Sequence, residues 1–161
     1  MKTFTDAAGR TWTISITIGS VMQVKAKLGI DLMHPEVGDP PLLTRIATDD
    51  LLLAEIICTL LEGQFEAQHV TEQDVYAAFD GATLAAVHDA FFAEWTDFFL
   101  SRKRPDLARG LQKQTAALAA AIKAVETRID AFDIETAVAT AMGRGAMSGP
   151  SPEQSGSTPA R

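Results

Sequence analysis

Between Thr11 and Ile18, apolar and polar residues alternate. Trp12, Ile14, Ile16 and Ile18 fall on one side; Thr11, Thr13, Ser15 and Thr17 fall on the other. Period two with β-branched residues on both faces is the signature of a half-buried strand. Thr3-Phe4-Thr5 supplies a shorter strand and Asp6-Ala7-Ala8-Gly9 the turn between them, so residues 2–18 read as a β-hairpin. A lone two-stranded hairpin is marginal in water. It must be packed against something else, and helices dominate the remainder of the chain. The expected architecture is therefore α+β, mostly α: an N-terminal hairpin (1–19) packed on five to six helices (20–142) as one globular unit, with a Gly/Ser/Pro-rich tail (143–161).

The helices announce themselves through caps and spacing. Ser20 and Gln23 fit a capping box, Val21, Val24 and Leu28 share a face, and Gly29 suits the left-handed position after the last turn. Residues 31–39, with His34-Pro35, Gly38 and Asp39-Pro40, read as a loop. Pro40-Pro41 opens a short helix to about Ala47. Thr48-Asp49-Asp50 caps another, which carries Leu52, Leu53, Ile56, Ile57, Leu60 and Leu61 and is expected to end near Glu62-Gly63. Thr71 to Asp74 starts a helix with Val75, Tyr76 and Phe79 inward, stopped by Asp80-Gly81. Residues 83–100 form a long helix with Leu84, Val87, Phe91, Trp95 and Phe98 in a stripe widened by Phe92 and Phe99. After Pro105, residues Leu111, Thr115, Leu118, Ile122, Val125, Ile129 and Phe132 alternate spacings of four and three, a heptad-like seam. That seam has three readings: packing on the 83–100 helix, self-association through 107–132, or docking of another helical protein. A last helix is expected at 134–142. The segment from Gly143 on is too poor in apolar residues to offset its chain entropy and is expected to be disordered.

Composition narrows the function classes. The 161 residues carry 14 Lys plus Arg against 21 Asp plus Glu, a net charge of −7. Such a balance argues against a general nucleic-acid binder. The distribution is uneven: residues 31–97 hold 14 acids against Arg45 alone, whereas 1–30 and 98–128 are net basic. The acidic middle reads either as a recognition surface for a basic partner or as the solvated exterior of several helices. The basic segment 98–128 is expected to fold back on it in part. No apolar run is long enough to span a membrane, and the first residues lack the apolar core of a secretory signal.

Candidate chemistry is sparse. The three histidines, His34, His69 and His88, show no metal-ligand spacing, and no metal or other cofactor is expected. Cys58, the lone cysteine, sits among Ile56, Ile57 and Leu60 and reads as an inert core thiol. Asp49 and Asp50 read as helix N-terminal acids. Arg102-Lys103-Arg104 reads as a cluster complementing the negative end of the preceding helix. No nucleophile motif and no phosphate loop is present, so no catalytic residue is assigned. The candidate partner-binding residues are Leu118, Ile122, Val125 and Ile129 of the seam, with Phe92 and Phe99 of the aromatic stripe.

The order of elements is more informative than any one motif. Phe4-Thr5-Asp6-Ala7-Ala8-Gly9-Arg10-Thr11-Trp12-Thr13, then Val24 to Leu32, then Thr71-Glu72-Gln73-Asp74-Val75 and a helix ending Asp97-Phe98-Phe99 resembles, over roughly residues 3–100, the phage and prophage tail assembly chaperones. The resemblance implies a small, acidic, non-enzymatic protein of the host cytoplasm. Such a protein binds and solubilises the long helical tape-measure protein, recruits tail-tube subunits, and is absent from the mature virion. It implies no catalytic or cofactor residues. The alternatives are a structural tail adaptor retained in the virion and a small regulatory protein.

Overall fold

A computed structural model of the chain describes residues 1–131, so the expected helix at 134–142, the tail at 143–161 and Phe132 lie outside the described residues. The chain divides into two compact units, 1–121 and 122–161. Strands β1 (Lys2–Thr5) and β2 (Thr11–Ile14) pair antiparallel with Phe4 opposite Trp12. Among the described residues six helices follow: α1 (Ile18–Leu28), α2 (Leu42–Thr48), α3 (Asp50–Gln68), α4 (Glu72–Ala77), α5 (Gly81–Ser101) and α6 (Pro105–Asp130). The α+β, mostly helical expectation holds.

The hairpin turn is built around one carboxylate. Asp6 has a fully buried side chain. Its Oδ1 accepts from the backbone N–H of Ala8 (3.0 Å) and of Arg10 (2.9 Å). Its Oδ2 accepts from Arg10 Nε (2.7 Å) and from the indole Nε1 of Trp12 (2.8 Å). Gly9 takes φ 79° to close the turn, a conformation that glycine reaches without strain.

β2 is shorter than the alternation implies. It ends at Ile14; Ile16 still points inward, but Thr17 caps α1 and Ile18, as its first residue, is 53% exposed. The capping box is Thr17–Ser20, not Ser20–Gln23. Both hydroxyl residues are consumed at that end, and the Gln23 side-chain amide instead donates to Glu62 of α3 (2.8 Å) and to the Thr59 carbonyl (3.3 Å). Gly29 takes φ 70° at the end of α1, as the sequence predicts.

α3 also departs from expectation. Capped by Asp49, which accepts from the N–H groups of Leu51 and Leu52, it runs through Gly63 to Gln68. A helical glycine costs about 1 kcal/mol relative to alanine. The turns beyond it are held by the hairpin: Gln64 bonds both the N–H and the carbonyl of Thr13 (3.1 and 2.8 Å), Gln68 donates to the Thr11 carbonyl (3.3 Å), and Phe65 meets Trp12 edge-on at 6.1 Å.

The expected Thr71–Asp74 start of α4 is present as a capping box. Val75 is fully buried, Phe79 half-buried, but Tyr76 is 37% exposed, because it stands one helical step off the single inward row of this short helix. Asp80 does not merely end α4: its side chain caps α5 by accepting from Thr83 N–H (2.8 Å). α5 is the spine of the core, with Val87, Phe91, Trp95 and Phe99 buried and the Trp95 indole donating to the Leu32 carbonyl (2.9 Å). It ends at Arg102-Lys103-Arg104 in a Schellman turn: Lys103 has φ 58°, and the N–H groups of Lys103 and Arg104 meet the carbonyls of Leu100 and Phe99.

Burial raises the Asp6 carboxyl, but the hydrogen bonds from Trp12 and Arg10 outweigh it and hold it below its ordinary value of 3.8. A lowered folded-state pKa contributes stability that is present above the unfolded value and lost as pH falls through the folded one. Asp6→Asn is nearly isosteric but turns an amide N–H toward the two side-chain donors. It should cost about 2–3 kcal/mol at neutral pH, read by chemical denaturation. The variant's stability should also fall less steeply than wild type below about pH 4.

Candidate functional site

Within the unit 1–121, α5 and the first half of α6 border an open groove of about 480 Å³. α5 brings Asp89, Phe92, Ala93, Thr96 and Asp97; α6 brings Gln112, Thr115, Ala116 and Ala119. Phe92 is 3% exposed and forms its apolar base, while Ala93, Ala116 and Ala119 keep it open because their side chains end at Cβ. Asp89 and Asp97 stand exposed on the α5 side, eight residues and thus about 12 Å apart along the helix. Asp97 pairs with Lys2 (2.8 Å). The arrangement offers an apolar bed with carboxylates along one wall. It suits the side of a helix better than a small molecule.

The candidate partner-binding residues are scattered by the fold. Phe92 lies in the groove. Phe99, 1% exposed, is core and offers no surface: the hairpin and α3 pack against α5, and its aromatic stripe faces inward. Leu118 is half-buried against the core. Ile122, Val125 and Ile129 belong to the second unit and are 52%, 54% and 66% exposed. Leu111, the first residue of the seam, is fully buried, and Leu118 packs partly buried against the core, so these two seam positions belong to the fold.

The acidic middle is partly neutralised, and the source differs from the expected one. The first 30 residues supply the cations: Lys2 pairs with Asp97, Lys25 with Asp31 (2.7 Å) and Lys27 with Glu62. From 98–128, Arg104 pairs locally with Asp106 (2.8 Å), and the Arg102 guanidinium lies over the Phe98 ring at 5.5 Å.

Glu94 is the functional-group surprise. It is 6% exposed, and its Oε1 accepts the N–H of Ile16 (3.3 Å) while the amino group of Met1 stands 2.6 Å from Oε2. The signal was in the sequence: 94 lies three residues from Phe91 and four before Phe98, on the inward face. Its partners are backbone groups of the hairpin, so its role is to anchor the chain between β2 and α1.

His34 lies beside Glu36 at the surface, His69 caps α3 with φ 53°, and His88 stacks on Phe92 at 4.6 Å. Among the described residues no three His, Cys, Asp or Glu side chains are grouped to hold a metal ion. Cys58 is 2% exposed, and burial pushes its thiol up to about 11, only partly opposed by a hydrogen bond from Tyr76. Cys58 should therefore resist Ellman's reagent at pH 8 in the native protein and react at once in denaturant. Rapid native labelling would contradict its burial.

No protein-family model, curated protein or solved structure matches the chain.

Proposed function

We propose that this chain is a non-enzymatic tail assembly chaperone. It binds and solubilises a tape-measure protein in the host cytoplasm, recruits tail-tube subunits, and does not remain in the virion. The resemblance over residues 3–100 brings the reading, and the groove between α5 and α6 is the observation that carries it. A tape-measure protein is a long helical client, and a helix docks by laying its apolar side in a groove. The base of Phe92, Ala93, Ala116 and Ala119 receives that side. The exposed Asp89 favours a client helix with Lys or Arg on that flank, Asp97 being engaged by Lys2. The surplus of exposed acids on the surrounding helices keeps the complex soluble and speeds encounter with a basic segment.

The test is co-expression with a tape-measure protein from the same host. Wild type should move the client into the soluble fraction and co-purify with it. Ala116→Trp fills the groove from an exposed position, so it should leave the melting temperature within about 2 °C of wild type and reduce client recovery at least about tenfold, equivalent to 1.4 kcal/mol. Undiminished recovery with Ala116→Trp would place the client elsewhere, and an insoluble client beside soluble wild type would end the chaperone reading.

A further inference from the structure

The groove between α5 and α6 differs in charge at its two ends. On each helix its lining runs away from the turn at Arg102–Arg104, from Asp97 to Asp89 on α5 and from Gln112 to Ala119 on α6. Asp89, strongly exposed, marks the end far from the turn. At the turn end stand two residues on the faces that line the groove. Leu100 lies about 20° around α5 from Ala93 and one turn beyond Thr96, and it is half-exposed. Arg109 lies about 20° around α6 from Ala116 and one turn before Gln112, and it is exposed.

Arg109 is open to a partner. None of the ion pairs among the described residues includes it. The nearest acid on its own helix, Asp106, is held by Arg104 (2.8 Å). Asp97, on the facing wall, is held by Lys2 (2.8 Å) and does not cancel it. The turn end is therefore positive and the far end negative. From Asp89 to Leu100 the bed is about 16 Å long, three turns of a helix laid along it. A client helix with one sign of charge throughout would gain at one end and lose at the other.

We infer that the groove selects a client helix of segregated charge. Its apolar side lies on Phe92, Ala93 and Ala116, with Lys or Arg at the end over Asp89 and Asp or Glu two to three turns away at the end over Arg109. The inference rests on the groove being the client site, and adds which helix that site takes and which way the helix points. Reversing the helix brings like charges together at both ends, so the direction is fixed.

Two labelled peptides of about 18 residues, long enough to overrun the bed, provide the test. Both carry the same apolar face and the same number of lysines and glutamates. In one the lysines and glutamates occupy opposite ends; in the other each end carries both. Equal net charge removes any difference in general attraction to the acidic protein. By fluorescence anisotropy, the full chain should bind the segregated peptide about three- to tenfold more tightly, and high salt should erase the difference. Arg109→Glu should abolish the preference, and adding Asp89→Lys should restore it, because the swap recreates opposite ends. Both positions are exposed, so circular dichroism should stay unchanged. Ala116→Trp should weaken both peptides alike. Equal binding of the two peptides by wild type, or a preference that survives Arg109→Glu, would overturn the inference; if Ala116→Trp still weakens binding, the groove remains the client site. Binding indifferent to Ala116→Trp, or no peptide binding, would overturn both readings.

Discussion

Gln64 does for β2 what a third strand would do. Its side-chain amide gives and takes a hydrogen bond at Thr13, and Gln68, one turn on, meets the Thr11 carbonyl. Residues four apart on a helix rise about 6 Å, close to the spacing of alternate residues on a strand, so two glutamines on one face of α3 track the strand's open edge. Asp6 closes the turn from inside, and Arg10 extends the link by donating to the Asp74 carbonyl at 3.0 Å. The hairpin that could not stand alone is thereby tied to α3, to α4 and, through Glu94, to α5. The arrangement of the remaining helices depends on that tie.

The groove follows from the same arrangement. With the hairpin and α3 against it, α5 turns Val87, Phe91, Trp95 and Phe99 inward and leaves Asp89, Ala93, Thr96 and Asp97 on its remaining side. α6 enters the core through Ala108 and Leu111. Beyond those residues its facing side chains are Thr115, Ala116 and Ala119, too small to fill the space. The alanine-rich composition that makes this stretch a poor free-standing coiled coil is what leaves the groove open. The apolar seam of α6 thus serves three ends: core at Leu111, half-buried contact at Leu118, and open surface at Ile122, Val125 and Ile129.

What could be read from the sequence was local. Gly29, Asp49 and the Thr71–Asp74 box act where they were expected, because caps depend on residues within one turn. The aromatic stripe of α5 and the burial of Cys58 were legible from spacing. The misses are long-range. Nothing near Gly63 says that α3 continues, since the partners of Gln64 and Gln68 lie more than fifty residues earlier. Thr17 and Ser20 were both adequate caps, and the choice between them turned on Gln23 finding Glu62. Phe99 was offered as a partner surface because an aromatic face wide enough to be surrounded looks, in sequence, like one left open. Of the groove, Phe92 was the one candidate partner residue and Thr115 a seam position, for the alanines that shape it carry no signal beyond their small size.

We propose that the chain serves a helical client during tail assembly. An affinity pull-down of the tagged protein from its native host while tails are being made, with mass spectrometry of the bound fraction, tests it most directly. The account predicts recovery of a long helical tape-measure protein, with tail-tube subunits alongside. Recovery of neither, from cells shown to be making both, would contradict it.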